Sequence, residues 1–134
     1  MFLGHFAVGL AAKKAAPQLS LGTLWLAAQW IDLIWPIFLL LGVEKVIIAP
    51  GHTAVTPFHF IHYPFTHSLT WVFIWAVLLG LICFGFRQSV WLAFILAGLV
   101  LSHWFLDLIV HRPDLPLSYG SDTFLGLSLW NSLP

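Results

Sequence analysis

Charge is what this sequence lacks most. Only 7% of its 134 residues are Asp, Glu, Lys or Arg, against about 25% in a typical soluble domain. Too few polar residues are present to cover a surface that faces water on all sides. Lys and Arg balance Asp and Glu at five each, so no basic footprint for nucleic acid exists and no acidic partner is implied. Cysteine is nearly absent as well. Cys83 is the only one, which excludes an internal disulfide and says nothing of redox compartment. A positive charge ahead of the first apolar stretch is also missing. MFLGHFAVGLAAKK carries its lysines after that stretch, the reverse of a signal peptide, so the N-terminus is read as part of the mature protein. Internal repeats and low-complexity tracts are lacking too.

What is there is apolar. Hydrophobic residues make up 60% of the chain and mean hydropathy is +0.97. Eight Trp and twelve Phe suit a protein whose rings pack between helices and sit at bilayer interfaces. A bilayer crossing takes about 20 apolar residues, and three stretches reach that length: about 21–42, 66–84 and 89–110. A shorter segment, Phe2 to Ala16, precedes them. A partial helix over 123–134, capped by Ser121 or Asp122, reads as the start of a fourth span that would continue past Pro134. The expected fold is a single all-α domain, a polytopic transmembrane helix bundle with three full spans, a short N-terminal helix and the start of a fourth. Val43 to Phe65 and Arg112 to Asp122 read as Pro-rich loops. Lys13, Lys14 and Arg87 then share one face and Lys45 and Arg112 the other, so the positive-inside rule puts the first three in the cytoplasm and both loops outside.

A few polar residues interrupt the apolar runs. Asp32 lies near the middle of the first span, where an ionised carboxylate facing lipid costs about 2.5–3.5 kcal/mol; it should face the bundle and have a partner. Pro36 lacks the N–H that would bond the carbonyl of residue 32, so a kink is expected beside the carboxylate. In the third span, His103 and Asp107 are four apart and share a helix face. That spacing suits a shared metal, or a carboxylate orienting a ligating imidazole. His67 follows Pro64 and Thr66, with Thr66 as the expected cap of the second span. The positive end of the helix dipole there disfavours imidazolium, leaving the neutral ring a metal requires. His5 lies on the short first helix. At 1.5 Å per residue, His5 is about 12 Å from the inner face, Asp32 about 16 Å and His103 about 21 Å, and His67 is near the outer face. With tilt and a kink, one site in the outer half of the bundle is permitted. His111 extends the face of His103 but lies about 12 Å further along. His52 and His59 read as loop histidines, Asp114 as a turn residue, and the tryptophans as packing and interface anchors.

Gly4-His5, Ile31-Asp32-Leu33-Ile34, His62-Tyr63-Pro64-Phe65-Thr66-His67-Ser68 and His103 through Asp107 together resemble the motifs of the membrane-bound metal-dependent hydrolase family (YdjM-like inner-membrane proteins). The order agrees, and the resemblance covers nearly the whole chain. It implies a bacterial-type inner (plasma) membrane location and a metal-dependent hydrolase. Two departures stand out. Ile34 occupies the place of a second carboxylate, removing a ligand for a second metal. Tyr63-Pro64 replaces Arg-Gly, removing a cation that would hold a phosphate or carboxylate.

The expected site is therefore a membrane-embedded divalent metal, with zinc favoured by imidazole and carboxylate donors without thiolate. Its candidate ligands are His5, Asp32, His67, His103 and Asp107, with His62 next. Asp32 or Asp107, whichever is not a ligand, is the candidate catalytic base, and a lipid or other membrane-partitioning ester or phosphoester the expected substrate. Two other readings stay open: a small oligomeric transport or proton-path protein, and a structural membrane protein whose polar cluster locks its helices.

Overall fold

The computed structural model describes residues 2–132, with side chains from 3 to 131. Its longest elements are α5 (Leu69–Arg87) and α6 (Val90–Val110). At 1.5 Å per residue they measure about 28 and 32 Å, close to the roughly 30 Å hydrocarbon core of a bilayer. Both are long and apolar enough to cross a membrane. Their outer faces are as apolar as their inner ones: Phe73, Leu81, Phe94 and Phe105 are all more than half exposed. Apolar side chains on every side suit a helix surrounded by lipid. Each helix starts on a serine. Ser68 Oγ accepts from Trp71 N–H, and Ser89 Oγ from Leu92 N–H. Between them Gln88 adopts a left-handed conformation, φ 49°, and closes α5 through its N–H to Phe84 O. The pair meets at a seam of small residues. A side-chain carbon at Gly80 would lie 3.2 Å from Ala93 O and 3.4 Å from Ala97 Cβ, the close approach that small residues allow between membrane helices.

The expectation of three full spans and the start of a fourth is not met. Among the described residues two helices are long and apolar enough to cross, and the stretch expected over 21–42 is broken into α2 (Leu21–Ala28) and α3 (Trp30–Leu40), bent by 54°. Only if that bent pair counts as one crossing are there three. The bend sits at Gln29, before Asp32, and not at Pro36, which lies inside α3. No Pro or Gly marks position 29, which is why the sequence pattern ran straight through it. The partial helix expected over 123–134 is also corrected. Phe124–Leu125 form a short strand, β4, and only Leu129–Ser132 (α7) are helical; Leu133 and Pro134 lie outside the described residues. Leu127 N–H and Ser128 N–H bond the carbonyls of Leu108 and His111, so this tail satisfies the open C-terminal end of α6.

Nor is the fold strictly all-α. Lys45–Ile48 (β1) and Phe58–His62 (β2) form an antiparallel hairpin, with Val46 opposite Phe60 and Ile48 opposite Phe58. Leu115–Pro116 (β3) pairs with β4. The β-branched run Val46-Ile47-Ile48 and the aromatic alternation Phe58-His59-Phe60 favour strands; the prolines between them make the turn.

The short first helix is α1 (Phe2–Ala12). Gly9 lets it lie directly on α2: a side-chain carbon there would come within 2.8 Å of Trp25 Cδ1 and 3.3 Å of Leu24 O. Trp25 Nε1 donates to Phe6 O at 3.1 Å, fixing the same contact. The core of the bundle is Leu24, Ala28, Ile31, Val72, Val100 and Trp104. At one end the loop after α1 meets the α5–α6 turn, with Trp91 Nε1 donating to Ala15 O and Arg87 reaching Gln18 O. At the other end lie both proline-rich segments, tied by Arg112 to His52 O and by Thr70 N–H to Leu117 O.

Candidate metal centre

The break at Gln29 builds the centre. A helix end leaves its last carbonyls without intrahelical partners and its first N–H groups pointing outward. Here the two ends are adjacent. The carbonyl of Ala28, last residue of α2, is taken by His103 Nδ1 at 2.9 Å. Asp32 falls in the first turn of α3, where the dipole stabilises a carboxylate by about 0.3–1 kcal/mol. One break thus orients an imidazole and supports an anion.

A carbonyl only accepts, so Nδ1 of His103 carries the proton and Nε2 is the nitrogen facing the cluster. Nε2 lies 3.1 Å from Asp107 Oδ2 and 3.5 Å from Asp32 Oδ1. It is within ion-pair distance of both carboxylates without meeting strict hydrogen-bond geometry to any described group. His5, brought in by α1, stacks on His103 with ring centres 3.7 Å apart and planes within 6°; its Nε2 is 3.3 Å from Asp107 Oδ1. His67 ends α4 (Pro64–His67), and its Nε2 is 3.7 Å from Asp32 Oδ1. Donor atoms around one tetrahedral zinc, each about 2.0–2.2 Å from the ion, are roughly 3.3–3.5 Å apart. The observed spacings bracket that value.

Two triplets can be drawn, His5–His103–Asp107 and Asp32–His67–His103. Both need His103, whose other nitrogen is engaged by Ala28, so a single Nε2 serves one ion. The triplets are therefore two corners of one centre. Such a set of imidazoles and carboxylates could hold a divalent metal. His5, His67, His103 and Asp107 are buried, while Asp32 keeps 32% of its side chain exposed. It faces a cavity of about 600 Å³ that His67 and Asp107 also line, with walls from Trp35, Phe58, Phe60 and Trp130.

Five of the six sequence candidates thus converge. His62 does not: it is exposed at the end of β2, with Tyr119 as its ring neighbour at 6.4 Å. His52 and His59 stack on each other at 4.0 Å in the hairpin segment, outside both triplets. His111 and Asp114 pair at 3.1 Å, and Tyr63 donates to the same Asp114 oxygen at 2.9 Å. Burial, reinforced by the Asp114 carboxylate, holds the Tyr63 phenol well above its ordinary pKa, so it remains a neutral donor.

Sequence reasoning assigned Thr66 to capping and left Glu44 among the loop charges. Ser68 is the cap instead. Thr66 and Glu44 are both buried: Glu44 Oε1 accepts from Thr66 N–H at 2.8 Å, Glu44 Oε2 from the Thr66 hydroxyl at 2.7 Å, and that hydroxyl lies 2.7 Å from His67 Nδ1. The one signal available was Gly42 two residues before an isolated acid. Gly42 is left-handed, φ 71°, and ends α3 in a Schellman turn, with Gly42 N–H to Leu39 O and Val43 N–H to Phe38 O. That turn sends Glu44 back toward α4. Searches against family models, curated proteins and solved structures return no match to this chain.

Proposed function

We propose that the chain is a membrane-embedded metal-dependent hydrolase acting on a lipid or other membrane-partitioning ester or phosphoester. The observation that carries this reading is His103 Nε2, its opposite nitrogen committed to Ala28 O, within ion-pair distance of two carboxylates and beside two further imidazoles. Two carboxylates around one imidazole nitrogen call for positive charge, from a metal ion or from a second proton on the ring, and the converging donors of His5 and His67 favour the metal. His103, common to the His5–His103–Asp107 and Asp32–His67–His103 triplets, would hold the ion with donors drawn from both, and zinc suits this donor set. A bound zinc supplies a Lewis acid that lowers the pKa of a water toward about 7 and polarises an ester carbonyl or phosphoryl oxygen.

The chain's own residues would do the rest. Asp32, with one edge on the cavity, would take the proton as water adds to the reacting carbon or phosphorus, and return it to the alcohol oxygen as the ester bond breaks. Asp107, closed in by His5 and His103, stays in place as a ligand. The aromatic walls of the cavity suit an apolar chain and exclude bulk water, and the surrounding bundle surface is apolar, so a substrate arriving through the bilayer is favoured. The motif resemblance supports the same chemistry and a bacterial-type inner membrane as its setting.

The test is release of product from phospholipid and acyl-ester substrates in mixed micelles, by zinc-loaded wild type, chelator-treated protein and Asp32→Asn. Turnover abolished by chelation and reduced by about 100-fold or more in Asp32→Asn, the scale of a general-base contribution, is the expected outcome. Turnover equal in all three would remove the hydrolase reading.

A further inference from the structure

We infer that Glu44 is a positioning residue of the metal centre, acting through Thr66 to keep the ligating nitrogen of His67 free of its proton. The inference rests on the metal reading of His67. The chain of contacts is Glu44 Oε2, Thr66 Oγ1 and His67 Nδ1, each link 2.7 Å long. The Thr66 hydroxyl has one proton to give. It goes to Glu44 Oε2, and Glu44 is already fixed by the Thr66 N–H at its other oxygen, 2.8 Å away. The hydroxyl therefore donates to Glu44 and accepts from His67. That places the imidazole proton on Nδ1 and leaves the Nε2 lone pair directed at the cluster, where Asp32 Oδ1 lies 3.7 Å off. Ligating histidines commonly donate their second nitrogen to a carboxylate or carbonyl. Here a hydroxyl is inserted between the ring and the carboxylate, and His103 uses the Ala28 carbonyl for the same purpose.

The arrangement explains a buried acid that otherwise has no role. Glu44 is 2% exposed, and burying a carboxylate costs several kcal/mol unless donors surround it. Its two oxygens meet two donors from the same residue, so Thr66 is held by both its backbone and its side chain. The Schellman turn at Gly42 and the first turn of α4 bring the pair together from segments 22 residues apart.

The polarity of this relay can be reversed without changing its shape. In Glu44→Gln, the amide oxygen keeps the Thr66 N–H bond while the amide NH2 faces the hydroxyl. The hydroxyl then accepts from the amide and donates to His67 Nδ1, forcing the proton onto Nε2. Thr66→Ser preserves the relay and Thr66→Val cuts it. Zinc affinity of the detergent-solubilised full chain, and the visible spectrum of the cobalt-loaded protein, are the first readouts. Glu44→Gln and Thr66→Val should lose about 10–100-fold in affinity, the usual scale for such outer partners, with an altered cobalt spectrum. Thr66→Ser should stay within about threefold of wild type. The second readout needs no metal: 15N shifts of the His67 ring in metal-free protein should report Nδ1–H in wild type and Thr66→Ser, and Nε2–H in Glu44→Gln. Wild type with Nε2–H on His67, or Glu44→Gln with unchanged affinity and spectrum, overturns the relay. Loss of zinc in His103→Ala alongside unchanged Glu44→Gln would remove the relay and leave the metal centre standing. A wild type that binds no zinc removes the role of both.

Discussion

At the scale of single residues, histidines that look alike in the sequence have different surroundings. His62 and His67 flank the same Pro-Phe-Thr segment, yet the first is exposed and the second buried against Asp32. His62→Ala should leave zinc affinity unchanged, while His67→Ala should lower it by at least about 100-fold, more than loss of an outer partner does; isothermal titration of the purified variants reads both. Tyr63 gives a prediction away from the metal. Its hydroxyl donates to Asp114, whose side chain is partly exposed, so Tyr63→Phe should cost about 1 kcal/mol of stability without changing metal content. The raised pKa of this phenol also sets a pH window. The unfolded phenol titrates near 10 and the folded one higher, so the stability from its neutral form is complete below about pH 10. It is lost as pH rises further through the folded value. Thermal unfolding of wild type and Tyr63→Phe at pH 8 and above 10 should show the gap closing.

At the scale of elements, what was legible followed from pattern, and what was not depended on contacts between distant segments. α5 and α6 could be read within about three residues, because a continuous apolar run flanked by Ser and Arg leaves little choice. His103 and Asp107 could be paired because helix periodicity alone puts them on one face. The bend at Gln29 could not be read, since nothing local forces it; the carbonyl of Ala28 and the N-terminus of α3 are useful there only because His103 and Asp32 lie beside them. Glu44 was illegible for the same reason. Its partner is Thr66, and no local rule connects them. α1 depends on Gly9, where a side-chain carbon would come within 2.8 Å of Trp25. Gly9→Ala should push α1 away from α2, costing about 1–3 kcal/mol as overpacked sites do. Because α1 carries His5, zinc affinity should fall as well. A variant that keeps wild-type melting temperature and affinity would mean that α1 does not pack as described.

At the scale of the whole molecule, two opposite ends are defined by contacts independent of any bilayer. The α1–α2 loop and the α5–α6 turn form one end, and the hairpin with the proline-rich segment after α6 forms the other. In a Cys83→Ala background, Gln88→Cys and Gln18→Cys should react with an impermeant maleimide from the same side of sealed vesicles, and Tyr119→Cys from the opposite side. The positive-inside expectation is that the first side, which carries the lysines and Arg87, is the cytoplasmic one, and labelling of vesicles of known orientation tests it. The fold then reads as a small apolar bundle in which His5, Asp32, His67, His103 and Asp107 form one cluster between the two ends, reached from a cavity that the hairpin and the C-terminal tail help to wall. One such cluster suits a bound ion better than a path between the two faces, which needs polar groups along its length.

The central claim is that three imidazoles and two carboxylates enclose a metal, and elemental mass spectrometry of the detergent-purified protein tests it most directly, beside a His103→Ala, Asp107→Ala double variant. About one zinc per chain in wild type, retained through dialysis and lost in the double variant, is expected. Wild type without stoichiometric metal, even after loading with excess zinc, manganese or iron, would contradict it. His5, His67 and His103 would then be polar partners of Asp32 and Asp107 that lock the helices together.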